Sequence, residues 1–136
     1  MIYLDSYVFL DLFSGEKELM EKAKKYLERA KKEGCTISTV VLTEVIFHLA
    51  RKRFENIIED FLLFVDTFEK MKVVDVNREI ALLAGGLRYK YYKKQECELS
   101  FLDCIHIATA ISTKCSSIVT GDKEFSKIEE IRTEVY

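Results

Sequence analysis

Proline is absent from the 136 residues, which removes one class of turn signal and leaves boundaries to glycine, capping residues and hydrophobic period. Cysteine is sparse and scattered. Cys35, Cys97, Cys104 and Cys115 form no CxxC pair or other close spacing, which argues against a zinc ribbon or a redox motif and reads them as reduced thiols. No basic segment precedes Asp5 in MIYLDSY, which argues against a secretory signal. No apolar run approaches the roughly 18 residues that a membrane span requires. These absences lead to the expectation of a soluble, cytoplasmic protein. There is also no excess of positive charge: the net charge is −2, so a nucleic-acid ligand would have to be held by local patches. No linker, repeat or low-complexity tract divides the chain, and its length fits one domain, 1–136, around a single core.

Basic patches are present. Lys24, Lys25, Lys31 and Lys32 lie on one predicted helix, Arg51, Lys52 and Arg53 end another, and Arg88, Lys90, Lys93 and Lys94 end a third. Cations at helix C-termini are favoured by the helix dipole, which is their ordinary explanation. The apolar period switches repeatedly between strand and helix spacing. Short strands are predicted at 2–4, 36–40, 72–76, 116–120 and 132–136, with helices near 16–33, 41–52, 54–70, 77–94 and 100–114. Gly34 marks a helix stop, and Ser38 or Thr39 can cap the next helix. Strands separated by helices imply an α/β fold, a parallel sheet of four to five short strands with helices on both faces.

In such sheets ligands bind outside the carboxyl ends of the strands, and that rule selects acids. Asp5 closes the first strand, Glu44 follows the second, and Asp122 follows the strand SSIVT across Gly121. Asp103 lies in FLDCIHIATAI (101–111), a helical segment whose apolar residues point in every direction, so that its carboxylate is expected to be buried and to need compensation. Four carboxylates at one edge would repel one another without a cation and would suit a hard divalent ion such as magnesium or manganese. Such ions support phosphodiester hydrolysis, activating water and stabilising the attacking and leaving oxygens. Each acid also has a plain structural role open to it: Asp5 as a helix N-cap, Glu44 as a solvated helix residue, Asp122 as a turn residue, and Asp103 as the partner of a cation or helix terminus. His48 and His106 form i,i+4 and i,i+3 pairs with Glu44 and Asp103. Two isolated pairs specify a transition metal weakly, and the histidines are read as structural or supporting. Phe61, Phe64 and Phe68 form a helix stripe read as packing.

The segments MIYLDSYVFLDLF, TVVLTEVIFHLAR, LSFLDCIHIATA and IVTGDKEF together resemble, in order and spacing, the PIN-domain family of metal-dependent nucleases, especially small VapC-type toxins. The resemblance covers essentially the whole chain. It implies a three-layer PIN-like sandwich and an acidic quartet of Asp5, Glu44, Asp103 and Asp122 around Mg2+ or Mn2+. Ser6 and Thr120 match supporting hydroxyls, and Ser100 fits as the cap of the Asp103 helix. It further implies endoribonuclease activity on RNA, dimerisation and control by an antitoxin protein, with Arg51, Lys52 and Arg53 as candidate backbone contacts. Tyr7 departs from the family pattern, which has a small polar residue there. Two other classes compete. A catalytically silent PIN-like scaffold would bind protein partners only. Phosphoaspartate signalling or phosphatase chemistry also puts acids at strand ends, but it would want a second acid beside Asp5, where Tyr7 stands.

Overall fold

The segment IYL is too short to bury anything by itself, yet its period of two divides a core. Ile2 and Leu4 pack on one side of the sheet and Tyr3 on the other, all fully buried. In the computed structural model, which describes all 136 residues, the elements follow as β1 (Ile2–Leu4), α1 (Ser6–Ser14), α2 (Lys17–Glu33), β2 (Cys35–Ser38), α3 (Thr39–Arg51) and α4 (Glu55–Thr67). Then come β3 (Met71–Val74), α5 (Arg78–Tyr91), α6 (Phe101–Ser112), β4 (Ser117–Thr120), a 3-10 turn (Lys123–Lys127) and β5 (Arg132–Val135). All five strands are parallel, in the order β3-β2-β1-β4-β5. The expected α/β class and parallel sheet are borne out.

Residues of α1 to α4 fill one apolar layer with Val8, Leu27, Val45 and Phe61, whereas α5, α6 and the 3-10 turn fill the other with Ile80, Leu87, Ile107 and Phe125. Helices therefore cover both faces. The order reverses between β1 and β4, the kind of switch point at which open parallel sheets leave a crevice beyond their carboxyl ends. No helix is long and apolar enough to cross a membrane. All four cysteines are free and buried, and burial pushes the Cys35 thiol up to about 12 and the Cys104 thiol to about 11.

Several boundaries differ from those read in the sequence. The second strand ends at Ser38 rather than at residue 40, because the Ser38 hydroxyl accepts the Val40 N–H at 3.2 Å and turns the chain into α3. The stretch after Asp5 forms α1, a helix separate from α2. Gly34 stops α2 with φ +83°, a backbone conformation that costs a glycine little. The largest difference concerns α6. Its middle, from His106 to Ala110, is buried, but its first turn projects beyond the sheet and leaves Phe101 66% and Leu102 39% exposed. Asp103 is consequently half-buried rather than interior.

Candidate functional site

Asp5 follows β1 directly and caps α1, its Oδ1 accepting the Ser6 N–H at 2.8 Å. The carboxylate is nonetheless almost fully buried, and a further donor reaches it. The Thr120 hydroxyl donates to Oδ2 at 2.6 Å, while Ser6 Oγ and His106 Nε2 each lie 3.4 Å from Oδ1. Thr120 ends β4, beside β1, and its Oγ1 also accepts the Asp122 N–H at 3.0 Å. One hydroxyl thus ties together two acids 117 positions apart in sequence. Asp122 caps the 3-10 turn through Glu124 N–H at 2.9 Å.

Glu44 reaches the same place from the second turn of α3. Its Oε1 accepts a hydrogen bond from Ser6 Oγ at 3.2 Å and is in direct hydrogen-bond contact with His106 Nε2. Asp103 stands in the first turn of α6, a helix that runs back toward β4, so its N-terminus lies at the carboxyl edge of the sheet. There it forms a capping box: Asp103 Oδ2 accepts the Ser100 N–H at 2.8 Å and Ser100 Oγ accepts the Asp103 N–H at 3.1 Å. The carboxylate that seemed to require a cation inside the core is half-exposed and has a helix terminus for a partner.

The structure brings these residues together to different degrees. Asp5 and Glu44, with His106, offer ligand atoms that all lie within 4.8 Å of one another. Asp103 and Asp122 are not in that tight group, but they belong to the same electrostatic neighbourhood. Burial pushes the Asp103 carboxyl above its usual range, and Asp5 and Asp122 push it in the same direction against the Ser100 bonds. Asp5 is likewise raised, by burial foremost, with Glu44 adding to it. His106 is the one basic side chain within salt-bridge range of any of the four acids. Burial opposes its charging, but Asp5 and Glu44 favour it and prevail, so its proton affinity is raised. An oxygen-rich group with this surplus of negative charge fits a hard divalent cation.

His106 is the residue whose place the sequence left unread. It was paired there with Asp103, three residues earlier, whereas it meets Glu44 and Asp5 across the fold. A usable signal was present: a histidine in an otherwise apolar helix must find a buried partner, and alternation in IYL turns Tyr3 toward α6. His48 lies apart, its ring against Phe47. Tyr7, 43% exposed, spreads over Gly121, where an added Cβ would come within 2.7 Å of its ring. Burial raises the Tyr7 hydroxyl, as do Asp122, Asp5 and Asp103. Arg51, Lys52 and Arg53 are exposed at the end of α3; Arg51 lies seven residues past Glu44, about 10 Å along the axis. Arg88 is more constrained. Its Cζ lies 4.1 Å from the ring centres of both Tyr92 and Phe101, and its Nε donates to Leu99 O at 2.9 Å.

A parallel five-stranded sheet with acids gathered beyond its switch point is the frame of one particular class of domain. Residues 2–131 match the PIN domain, and the chain belongs to the PIN-domain family. Among solved structures, VapBC2 from Rickettsia felis, bound to a DNA fragment from its promoter, shares 20% identity at a TM-score of 0.77, covering 100% of this chain and 99% of that one. Mycobacterium tuberculosis VapC20, a sarcin-ricin loop cleaving toxin, shares 20% at 0.78, covering 97% of this chain and 99% of that one. A toxin-antitoxin complex from Klebsiella pneumoniae shares 23% at 0.70, covering 96% and 95%. A search of curated proteins finds no match.

Proposed function

We propose that this protein is a divalent-metal-dependent endoribonuclease and the toxin of a VapBC-type pair. The observation that supports the reading is the meeting of Asp5 and Glu44 beyond the carboxyl edge of the sheet, with Asp103 and Asp122 in their electrostatic neighbourhood and no lysine or arginine in salt-bridge range of the four. Asp5, Asp103 and Asp122 would hold Mg2+ or Mn2+, with Glu44 acting beside them through water or by orienting the nucleophile. When bound, the ion supplies an activated water and charge stabilisation for an in-line displacement at phosphorus. The chain's own groups prepare the site. Thr120 and Ser6 fix the rotamer of Asp5, and Ser100 fixes the turn that presents Asp103. RNA would be held by its backbone at Arg51, Lys52 and Arg53, and at Arg88, whose aromatic neighbours Tyr92 and Phe101 are exposed and suited to base stacking.

The partners follow from the same reading. The similar Klebsiella pneumoniae structure is a toxin-antitoxin complex, which supports a cognate antitoxin for this chain; a cytoplasmic setting and a homodimer are part of the same proposal. A catalytically silent scaffold is the second reading, favoured by one observation: both oxygens of Asp5 already accept hydrogen bonds from the protein, Oδ1 from Ser6 N–H and Oδ2 from the Thr120 hydroxyl. Purified protein incubated with RNA in Mg2+ or Mn2+, against chelator and an Asp103→Asn control, separates the two. Cleavage that requires metal and disappears in the variant is expected; cleavage equal in both proteins would assign the activity to a contaminant and leave the scaffold.

A further inference from the structure

His106 is completely buried, and its two ring nitrogens have different partners. Nδ1 lies 2.7 Å from the Tyr3 hydroxyl, and Nε2 meets Glu44 Oε1 with Asp5 Oδ1 at 3.4 Å. The Tyr3 hydroxyl is also met by Ser38, whose backbone N–H donates to it at 3.1 Å and whose side chain lies beside it. An amide N–H can only donate, so the Tyr3 oxygen accepts from Ser38 and must place its own proton elsewhere. Ser38 Oγ already accepts the Val40 N–H, and the acceptor in short contact with the Tyr3 hydroxyl is Nδ1, at 2.7 Å. A proton on Nδ1 of the neutral ring would turn two donors toward each other at the Tyr3 contact and would leave Nε2 bare against the carboxylates of Glu44 and Asp5. The bonding pattern is complete in one arrangement of the neutral ring: Nδ1 bare, and Nε2 carrying the proton that Glu44 accepts.

We propose that His106 is the positioning residue of this acid cluster, with the Tyr3 hydroxyl fixing its ring as the Nε2–H tautomer so that it donates to Glu44 and holds Glu44 against Asp5. The chain of bonds starts at the head of α3 with Ser38, crosses Tyr3 of β1 and His106 of α6, and returns to α3 at Glu44. Helix α3 is thereby registered against the central strand through polar contacts as well as apolar ones. The arrangement also decides a question that the proximity of Asp5, Glu44 and His106 raises. A metal ligand at Nε2 would need that nitrogen bare and the proton moved to Nδ1, which the Tyr3 donor opposes. His106 therefore supports the acids and is not itself a ligand, so the metal site keeps an all-oxygen donor set.

The inference rests on the metal-site reading for its consequence but not for its geometry, and the test separates the two. Protein labelled with 15N-histidine, with His48 assigned through His48→Gln, is recorded at alkaline pH, where the ring is neutral, without metal and then with Mg2+. The expected spectra show His106 with Nε2 protonated and Nδ1 bare in both states. A proton on Nδ1, alone or together with Nε2, overturns the proposal, as does loss of the Nε2 proton on adding Mg2+. Calorimetric titration with Mn2+ supplies the functional arm. His106→Gln, whose amide can donate in place of Nε2, should bind within a few-fold of the parent, whereas His106→Leu should bind roughly 10 to 100 times more weakly. Equal affinity in the leucine variant would reduce His106 to a packing residue. Should the parent protein bind no metal, the nuclease reading fails, and the metal-free spectra still decide the tautomer. Should His106→Leu fail to fold, the spectra and the glutamine variant carry the test.

Discussion

Replacing Asp103 by asparagine removes one charge and keeps the shape of the side chain. Asn Oδ1 can accept the Ser100 N–H that Asp103 Oδ2 now accepts at 2.8 Å, and the Ser100 hydroxyl keeps its bond to the residue-103 amide. The capping box therefore survives, and the loss of about 1 kcal/mol that follows removal of a cap is avoided. Neutralising a carboxylate whose ionisation is opposed by burial, Asp5 and Asp122 also relieves repulsion. The metal-free variant should match the parent within about 0.5 kcal/mol. At about 2.1 cal/mol/K per residue, the 136 residues have an unfolding entropy of roughly 0.29 kcal/mol/K, so this is about 2 °C in Tm.

Metal changes the comparison. An ion at 100 times its dissociation constant stabilises the parent by about 2.7 kcal/mol, or about 9 °C on the same entropy scale. If loss of one ligand weakens binding roughly 100-fold, the same concentration stabilises the variant by about 0.4 kcal/mol, between 1 and 2 °C. Thermal melting in chelator and in Mn2+ reads both quantities, and RNA cleavage should vanish together with the metal-induced shift. An equal metal shift in parent and variant would refute the assignment of Asp103 as a ligand. A variant melting well below the parent in chelator would make Asp103 a capping residue before anything else.

Thr120→Val keeps the β-branched shape that suits β4 but leaves Asp122 N–H and Asp5 Oδ2 without their shared hydroxyl; a loss of about 1–3 kcal/mol is expected by denaturant titration, together with weaker Mn2+ binding. Arg88→Ala should raise KM for RNA with little change in kcat, because Arg88 contacts Leu99, Tyr92 and Phe101 rather than the acids, and steady-state kinetics on a fluorescent oligonucleotide tests this. At Glu134 burial works against ionisation, but the bonds from Arg29 and Ser117 outweigh it and hold the carboxyl below its usual range. Its contribution is present above the ordinary glutamate pKa and is lost as pH falls through the lowered folded value. Glu134→Gln should therefore flatten the acid limb of a stability-against-pH curve by at most about 1 kcal/mol, screened as partly exposed pairs are.

The sequence by itself determined the α/β alternation, the parallel sheet and the edge at which chemistry belongs, because period, caps and the rule of strand carboxyl ends are local or topological properties. It also presented Asp5, Glu44 and Asp122 as residues following strands. It misjudged the surroundings of Asp103, since an apolar period cannot tell whether the first turn of a helix lies over the sheet or beyond it. Phe101 and Leu102, apolar yet exposed, are that difference. Tertiary structure alone decided which polar groups meet. Strand order sets β4 beside β1 and so joins Thr120 to Asp5, and the face of the sheet on which α6 packs gives His106 to Tyr3 and Glu44 rather than to its neighbour Asp103. Hydrogen bonds between residues a hundred positions apart depend on ångström-scale placement, which no spacing along the chain encodes.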